Sequence, residues 1–321
     1  MTDIHILMPA PLDAAVIDAI ERRFVLHRLW EQADADAYLE RVAPDIRGMA
    51  VTTLAGRIDA AWLDRLPALD IIASFGVGYD NVDAEAAARR GVTVTNTPGV
   101  LDDEVADLTI GLLLATLRRI PQADRFVRDG KWRDGPFPLS PTLRGRRIGI
   151  IGLGAIGKAI ARRLEAFRVP IAYHGRSRQQ GVDYPYLATP GALAEASDVL
   201  IAIVPGGAGT HHLVDADVLG ALGPEGVLIN VARGSVVDQD ALIDALVAGR
   251  IGGAGLDVYA DEPEVPAALI DLPNVVLLPH IGSASVATRA AMGQLVVDNL
   301  VAWFGSGKAL TPVPESRSIA R

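Results

Sequence analysis

Residues 147–167 of the chain read RIGIIGLGAIGKAIARRLEAF. The apolar run Arg147–Ile151 predicts a β-strand, and Lys158–Phe167 predicts an α-helix. Between them lies Gly152-Leu153-Gly154-Ala155-Ile156-Gly157, a G-x-G-x-x-G motif. Such a motif is a weak signal alone, but the order of strand, motif and helix is typical of a dinucleotide-binding βαβ unit. The stretch therefore predicts a Rossmann-type domain in the middle of the sequence.

The three glycines of the motif have separate physical roles. Gly152 allows the tight turn, Gly154 lets a pyrophosphate approach the backbone, and Gly157 lets the helix pack closely on the strand. The N-terminus of the following helix supplies amide donors and the positive end of its dipole. The alternative is a glycine-rich turn that binds nothing. We assign the whole motif to cofactor binding: Gly152, Leu153, Gly154, Ala155, Ile156 and Gly157.

The end of the next predicted strand, Pro170–Tyr173, distinguishes NAD from NADP. An NAD site usually places an acid there to bind the ribose 2′-hydroxyl, whereas an NADP site offers an arginine to the 2′-phosphate. The sequence continues His174-Gly175-Arg176-Ser177-Arg178, and the first acid is Asp183. We therefore expect NADP(H), with NADPH preferred and NADH possible, bound by Gly175, Arg176 and Ser177. The alternative is that these arginines are only solvated loop cations.

Composition limits the classes of protein and partner. The chain has 321 residues, enough for two domains, and 50% of them are hydrophobic. Its net charge of −9 disfavours nucleic acid and anionic membranes as partners, because both are polyanionic. There is no cysteine and no apolar run long enough to span a bilayer, and the N-terminus does not resemble a signal peptide. We expect a cytoplasmic protein.

Short apolar runs alternate with helical patterns along almost the whole chain, which favours a parallel α/β architecture. The predicted N-terminal strands are Ile4–Met8, Met49–Thr53, Ile71–Ser74 and Thr93–Thr95. The predicted N-terminal helices are Ala14–Arg23 with Asp13 as N-cap, Asp59–Leu66, and Ala84–Arg90 ending at Gly91. A long helix, Val105–Ile120, follows the acids Asp102, Asp103 and Glu104, and Gly130–Pro141 is predicted to be a loop. A second α/β series runs from Arg147 to Leu278, and a last helix, Ala287–Phe304, could pack on either domain.

Polar residues follow three predicted strands of the second series. Arg233 follows Val227–Val231, Asp257 and Glu262 follow Gly253–Leu256, and His280 follows Val275–Leu278. Because ligands bind beyond the carboxyl ends of the strands in open α/β sheets, these side chains are candidate site residues.

The set suits the reduction of a 2-oxo acid. Arg233 can bind the substrate carboxylate at two points and polarise the carbonyl. His280 can give a proton to the carbonyl oxygen, and Glu262 can hold the imidazole by a hydrogen bond and stabilise its protonated form. Asp257 is better placed to meet the cofactor carboxamide. Taken singly, Arg233 could be a loop cation and Glu262 a helix first-turn acid.

Other site chemistries find less support in the sequence. Five histidines are interpreted as structural or surface groups: His5, His27, His174, His211 and His212. No metal site is expected, because the adjacent His211-His212 lacks metal-ligand spacing and there is no cysteine. The chain has no G-x-S-x-G nucleophile elbow, and Gly157-Lys158-Ala159 does not end as a P-loop does.

The combined motifs resemble the D-isomer-specific 2-hydroxyacid dehydrogenase family over Ser74–Phe304. The resemblance is carried by Gly152–Gly157, Asn230–Gly234, Gly255–Val258 with Glu262-Pro263, and Pro279–Ser283. The runs His174–Ser177 and Gly223–Asn230 are most similar to NADPH-preferring glyoxylate/hydroxypyruvate reductases and plant-type hydroxyphenylpyruvate reductases. One departure is Gly206-Gly207-Ala208-Gly209, which replaces a bulkier stretch often found there.

The resemblance implies two Rossmann-like or flavodoxin-like doubly wound domains with an active-site cleft between them. Residues 1–99 and 286–321 would form a discontinuous substrate-binding domain that includes the last helix, and residues 100–285 the dinucleotide-binding domain. The implied catalytic residues are Arg233, Glu262 and His280. The implied substrate-binding residues are Leu54, Val77, Gly78, Arg233 and His280, and the further implied cofactor contacts are Val204, Pro205, Val231, Ala232 and Asp257.

The resemblance also implies a homodimer with the long helix Val105–Ile120 at its interface. Trp132 and Phe137 are similar to aromatics that reach a neighbouring subunit's active site, although simple interface packing explains them equally well. The favoured activity is NADPH-dependent reduction of glyoxylate and hydroxypyruvate to D-2-hydroxy acids. One alternative is reduction of aromatic 2-oxo acids such as hydroxyphenylpyruvate, and another is a dinucleotide-sensing corepressor or scaffold.

Overall fold

The computed structural model describes residues 3–319 of the chain. The chain divides into two compact units, one formed by Met1–Leu101 with Ser285–Arg321 and the other by Asp102–Ala284. None of the helices within residues 3–319 is long and apolar enough to cross a membrane. Each unit is built around its own parallel sheet.

The sheet of the first unit has five parallel strands. They are β1 (His5–Met8), β2 (Val25–Arg28), β3 (Ile46–Val51), β4 (Ile71–Ser74) and β5 (Thr93–Thr95). Their order is β2-β1-β3-β4-β5, the doubly wound order of flavodoxin-like sheets. Every side chain of β4 and β5 is buried, as expected for parallel strands covered on both faces. The strand β2 was not among the predicted elements.

Four short helices follow these strands. They are α1 (Ala14–Glu21), α2 (Ala35–Val42), α3 (Ala60–Asp64) and α4 (Ala84–Arg89). The side chains of Asp34, Asp59 and Asp83 accept hydrogen bonds from first-turn amides and so cap three of the helices. Asp13 lies at the predicted N-cap position of α1, but its side chain makes no capping hydrogen bond.

The sheet of the second unit has six parallel strands. They are β6 (Ile148–Ile151), β7 (Ile171–His174), β8 (Val199–Ala202), β9 (Val227–Asn230), β10 (Gly253–Leu256) and β11 (Val275–Leu277). Their order is β11-β10-β9-β8-β6-β7. The chain leaves β6 toward β7 on one side and then continues to β8 on the other. This reversal creates a topological switch point at the carboxyl ends of β6 and β8, where ligands bind in such sheets.

The helices of the second unit correct one prediction. They are α5 (Asp102–Arg118), α6 (Ile120–Arg128), α7 (Ala155–Glu165), α8 (Pro190–Glu195), α9 (Ala216–Leu222), α10 (Gln239–Val247) and α11 (Ala267–Ile270). The single helix predicted over Val105–Ile120 is wrong at its end. Arg119 takes a left-handed conformation with φ 52°, and α6 starts after it with Pro121 in its first turn. The predicted loop Gly130–Pro141 contains one 3-10 turn, Lys131–Arg133.

The C-terminal helix α12 (Val286–Ser306) belongs to the first unit. It packs on α1 and β4, which settles the question that its periodicity left open. The approach is close at Gly293, where an added Cβ would lie 2.2 Å from Cγ2 of Val16. The N- and C-terminal parts of the chain therefore share one core. The two parallel α/β sheets confirm the predicted fold class.

Candidate active site

The glycine turn joins β6 to α7 with almost no loop between them. Gly152 has φ 101°, and a Cβ there would lie 2.3 Å from the carbonyl oxygen of Ile203. A Cβ on Gly157 would lie 2.1 Å from the carbonyl oxygen of Gly152, so the helix and the turn are in direct backbone contact. In contrast, a Cβ on Gly154 would meet nothing within 4 Å. The turn is closed where it packs and open at Gly154, the glycine expected to face a pyrophosphate, so these residues fit a dinucleotide.

The loop after β7 presents cationic and hydroxyl side chains. β7 ends at His174, one residue later than predicted, and Gly175 follows it. Arg176, Ser177 and Arg178 are all exposed. This chemistry fits a 2′-phosphate better than an unmodified ribose, because it offers donors and a positive charge and no carboxylate.

Four further cofactor candidates lie at the same edge of the sheet. Val204 and Pro205 follow β8, and Val231 and Ala232 follow β9, the next strand in the sheet. The Val204 side chain lies beside the glycine turn, with Cγ1 2.7 Å from the position of a Cβ on Gly152. Val231 and Ala232 are buried. The strand order thus places these residues on the switch-point side of the sheet, as the glycine motif requires.

The turn that carries Arg233 is shaped by Asn230, the last residue of β9. The buried Asn230 amide donates from Nδ2 to the carbonyl oxygen of Arg233 at 3.1 Å and accepts from the Ala232 amide at 3.1 Å. Arg233 itself donates from Nη1 to the carbonyl oxygen of Ala232 at 2.8 Å. Side-chain bonds of this kind fix the backbone path directly after the strand. The orientation of Arg233 therefore depends on Asn230.

Gly234 allows this turn to contact the segment after β10. A Cβ on Gly234 would lie 1.8 Å from the carbonyl oxygen of Tyr259, which is backbone and cannot rotate away. We expect Gly234→Ala to separate the Arg233 turn from the Tyr259 segment and to lower the free energy of unfolding by about 1–3 kcal/mol. Turnover should fall as well, because both segments carry candidate catalytic groups.

Thermal and urea unfolding of Gly234→Ala would measure this loss. The matched control is Gly191→Ala in α8, where a Cβ meets nothing within 4 Å and alanine favours the helix. If Gly234→Ala is as stable as Gly191→Ala, the contact between the two segments does not constrain the turn.

His280 and Glu262 form a hydrogen-bonded pair. The imidazole donates from Nδ1 to Oε2 of Glu262 at 2.6 Å, and Oε1 of Glu262 accepts from the Tyr259 amide at 3.0 Å. Burial raises the pKa of Glu262, but the hydrogen bond and charge of His280, the Tyr259 amide and the charge of Arg233 outweigh it. The pKa of Glu262 is therefore lowered, and its carboxylate is ionised against the imidazole at neutral pH.

Asp257 fixes the backbone that follows His280. Its carboxylate, 2% exposed, accepts from the Ile281 amide at 2.7 Å and from the Gly282 amide at 2.8 Å. His280 has φ 53°, a left-handed conformation that is uncommon outside glycine and needs support from its surroundings. Burial raises the pKa of Asp257, although the two amides and the charge of His280 counteract it. The predicted contact of Asp257 with the cofactor carboxamide stays a prediction.

Tyr259 connects Glu262 to the segment that carries His280. Its amide binds Glu262, and its hydroxyl donates to the carbonyl oxygen of Leu278 at 2.9 Å, two residues before His280. Burial and the neighbouring carboxylates of Asp257 and Glu262 raise the pKa of Tyr259 to about 12, so the hydroxyl keeps its proton. Tyr259 thus helps to hold both members of the pair formed by Glu262 and His280.

Arg233, Glu262 and His280 are brought to one edge of the sheet. They follow β9, β10 and β11, which are adjacent. The predicted substrate residues Leu54, Val77 and Gly78 lie in the first unit, Leu54 after β3 and the other two after β4. The side chain of Leu54 is 76% exposed. Val77 is held by Asn96, whose Nδ2 donates to its carbonyl oxygen at 2.8 Å.

Four of the other histidines contact one another in pairs. His5 and His27 are hydrogen-bonded at 2.9 Å, and His27 contacts the Tyr38 hydroxyl at 2.8 Å in the first unit. The rings of His211 and His212 stack with centroids 3.9 Å apart. Within residues 3–319, no group of three or more histidine, aspartate or glutamate side chains is arranged to hold a metal ion.

Several supporting side chains were not among the predicted site residues. Asn96, Asn230 and Tyr259 each donate a side-chain hydrogen bond to the backbone of a candidate site residue or close to one. Asn96 and Asn230 share one signal, since each stands where a buried strand ends. An asparagine at that position can bond to the backbone of the following turn, which marks it as a turn-shaping residue.

Comparisons with known proteins show which proteins the chain is similar to. The model of the D-isomer-specific 2-hydroxyacid dehydrogenase NAD-binding domain matches residues 110–282, more than half of the chain. A hydroxyphenylpyruvate reductase of Plectranthus scutellarioides is 48% identical over 313 residues, covering 98% of this chain and 100% of the relative. A glyoxylate/hydroxypyruvate reductase A of Arabidopsis thaliana is likewise 48% identical over 313 residues, with the same coverage.

A solved structure is similar over the full length. It is the NADPH-dependent glyoxylate/hydroxypyruvate reductase of Sinorhizobium meliloti in complex with NADP and malonate. The two proteins are 54% identical, with a TM-score of 0.95, and the match covers 100% of this chain and 99% of that chain.

Proposed function

The chain belongs to the D-isomer-specific 2-hydroxyacid dehydrogenase family, and we propose that it reduces the small 2-oxo acids glyoxylate and hydroxypyruvate to D-2-hydroxy acids with NADPH. This membership confirms the resemblance inferred from the motifs of the sequence. It also makes the chain an oxidoreductase rather than a protein that only binds a dinucleotide. The specific substrates are those named for its relatives.

The observation that carries this proposal is the pair formed by His280 and Glu262. The 2.6 Å hydrogen bond engages Nδ1 of the imidazole, so Nε2 is the nitrogen left for a substrate. An imidazole held by an ionised carboxylate is stabilised in its protonated form and can act as a general acid near neutral pH. The pair stands at the carboxyl end of β11 in the unit that contains the glycine turn.

The proposed reaction moves one hydride and one proton. When bound, NADPH supplies the hydride that reduces the carbonyl carbon of the 2-oxo acid. Arg233 binds the substrate carboxylate and polarises the carbonyl, since its guanidinium offers donors in a planar fork. His280 transfers the proton from Nε2 to the carbonyl oxygen as that oxygen gains charge, and it later recovers a proton from water. Glu262 stays ionised and orients the imidazole throughout.

The two units divide the binding roles in this proposal. The Asp102–Ala284 unit is the dinucleotide-binding domain, because it contains the glycine turn and the loop after β7. The other unit is the substrate-binding domain, with Leu54, Val77 and Gly78 as substrate-binding residues. The support for these three residues is the resemblance, together with the bond from Asn96 that fixes the Val77 peptide.

Selectivity for NADPH is proposed to depend on Arg176. Arg176→Ala should raise the KM for NADPH about tenfold or more, because the 2′-phosphate loses a charged hydrogen bond. The KM for NADH should stay unchanged, because NADH has no 2′-phosphate. Steady-state kinetics with both cofactors at saturating hydroxypyruvate would measure this. Arg162→Ala, an exposed arginine on α7, is the matched control and should change neither value. An unchanged ratio of the two KM values in Arg176→Ala would remove Arg176 from the 2′-phosphate site.

A panel of 2-oxo acids tests the substrate proposal. The rate of NADPH oxidation would be measured with glyoxylate, hydroxypyruvate and 4-hydroxyphenylpyruvate, and each would be repeated with NADH. We expect higher kcat/KM for the two small acids. A higher kcat/KM for the aromatic acid would instead assign the activity named for the Plectranthus relative. Failure to oxidise NADPH with any of the acids, in a folded protein that binds NADPH, would contradict the proposed substrates.

A homodimer is also part of the proposal. Helix α6 and the segment after it expose large apolar side chains, among them Trp132 at 68% and Leu139 at 99%. Ile120 and Val127 on α6 are also exposed, and several exposed large apolar side chains in one segment are a feature of interaction sites. Trp132 and Phe137 are proposed to lie at this interface. The mass of the protein in solution distinguishes a dimer from a monomer.

A further inference from the structure

One glutamine links the loop after β7 to the glycine turn after β6. The side chain of Gln179 donates from Nε2 to the carbonyl oxygen of Leu153, the second residue of the glycine turn, at 2.7 Å. Its backbone amide donates to the hydroxyl oxygen of Tyr173 at 2.7 Å. Both distances are short for hydrogen bonds of these types, and Gln179 is half-buried. The two turns that would hold different phosphates of one cofactor are therefore joined through Gln179.

The opposite end of the same loop is also attached. Tyr186 donates from its hydroxyl to the carbonyl oxygen of Gly175 at 3.3 Å. Tyr173 is completely buried within β7, so the acceptor for the Gln179 amide is fixed by the core. Arg176, Ser177 and Arg178 are exposed between these two attachment points. A short segment that is held at both ends restricts the positions of its exposed side chains, even if those side chains make no contacts themselves.

We propose that Gln179 is a positioning residue for NADPH selectivity, because it holds the Gly175–Gln179 loop against the glycine turn. The inference rests on the proposed function, in which Arg176 and Ser177 bind the 2′-phosphate. Binding requires that flexible side chains lose freedom, and a loop ordered in advance reduces that cost. Of these three attachments, only the bond to Leu153 joins a side chain of the loop to the glycine turn. Gln179 itself need not touch the cofactor.

The test is the binding of two nucleotides to the purified full chain. 2′,5′-ADP has the 2′-phosphate and 5′-AMP does not, and calorimetry measures both affinities without any turnover. Gln179→Met keeps the length of the side chain but removes the donor. We expect its affinity for 2′,5′-ADP to fall about fivefold, the effect of losing one ordinary hydrogen bond, and its affinity for 5′-AMP to stay unchanged. The KM for NADPH should rise correspondingly, with kcat preserved.

The neighbouring exposed Gln180 supplies the matched control. Gln180→Met introduces the same chemical change one residue away and should leave both affinities unchanged. Melting temperatures of both variants would show that the fold is retained. A Gln179→Met variant that loses affinity for both nucleotides equally, or for neither, would overturn the inference while the wild type still prefers 2′,5′-ADP. A wild type that binds the two nucleotides equally would overturn the NADP assignment and this inference together.

Discussion

Replacing His280 with alanine is expected to lower kcat for 2-oxo acid reduction by about 10²–10⁴-fold, the usual contribution of a general acid. The affinity for NADPH should hardly change. The reason is geometric, because Glu262 binds the imidazole through Nδ1 and leaves Nε2 for the proposed proton transfer, whereas the glycine turn lies across the sheet at β6. Single-turnover rates and NADPH binding by fluorescence would separate the two quantities.

The backbone at His280 requires a second variant. His280 has φ 53°, a conformation in which alanine is strained and asparagine is tolerated. His280→Asn therefore preserves the turn held by Asp257 while it removes the proton donor. We expect both variants to lose turnover to a similar extent. If His280→Asn keeps most of the wild-type kcat, or if NADPH affinity falls as steeply as kcat, His280 is not the proton donor.

Replacing Arg233 with methionine is expected to lower kcat/KM for hydroxypyruvate by about 10²–10³-fold, as when a group that stabilises developing charge is removed. Methionine retains much of the length of the side chain but has neither charge nor donors. Arg233→Lys should have an intermediate value, because lysine keeps the positive charge without the planar fork that binds a carboxylate at two points. A kcat/KM that decreases from the wild type to Arg233→Lys and then to Arg233→Met is the signature of an arginine that binds a carboxylate.

The control for this series is Arg250→Met, at an exposed arginine that follows α10 in the same unit. It should keep the wild-type kcat/KM. NADPH affinity should also persist in Arg233→Met, since the glycine turn and the loop after β7 are untouched. An Arg233→Met variant with unchanged kcat/KM would exclude Arg233 from substrate binding.

The parts of the site that the sequence predicts best are those that follow from strand order. The glycine motif fixed the position of β6 and α7, because its spacing is required by a tight turn and a close helix contact at Gly157. His280 could be singled out because it comes shortly after the apolar strand β11. In a parallel sheet the carboxyl ends of all strands share one edge, so residues distant in the sequence meet there.

Two other elements, β2 and α6, were not predicted from the sequence, for physical reasons. Strand β2 has the mixed sequence Val25-Leu26-His27-Arg28 and pairs only with β1 at the sheet edge, so it lacks the apolar run of a central strand. Helix α6 was missed for a different reason: its apolar residues do recur with helical spacing, but it begins almost directly after α5, so the two helices are not separated by any loop signal in the sequence. The left-handed conformation of Arg119 separates it from α5 and cannot be inferred from an arginine.

The supporting hydrogen bonds could not be predicted because they depend on tertiary geometry. Asn96 and Val77 are 19 residues apart, and Gln179 and Leu153 are 26 apart. Nothing local in the sequence indicates which backbone oxygen such an amide will reach. The same holds for the bonds from the Asp257 carboxylate to the amides of Ile281 and Gly282, which are 24 and 25 residues away.

We expect this chain to reduce a small 2-oxo acid with NADPH and to give the D-2-hydroxy acid. The most direct measurement is to incubate the purified protein with hydroxypyruvate and NADPH, and to compare the NADPH consumed with the glycerate formed and resolved by chiral chromatography. We predict one D-glycerate for each NADPH oxidised. Formation of L-glycerate, or no oxidation of NADPH by folded protein that binds it, would contradict the claim.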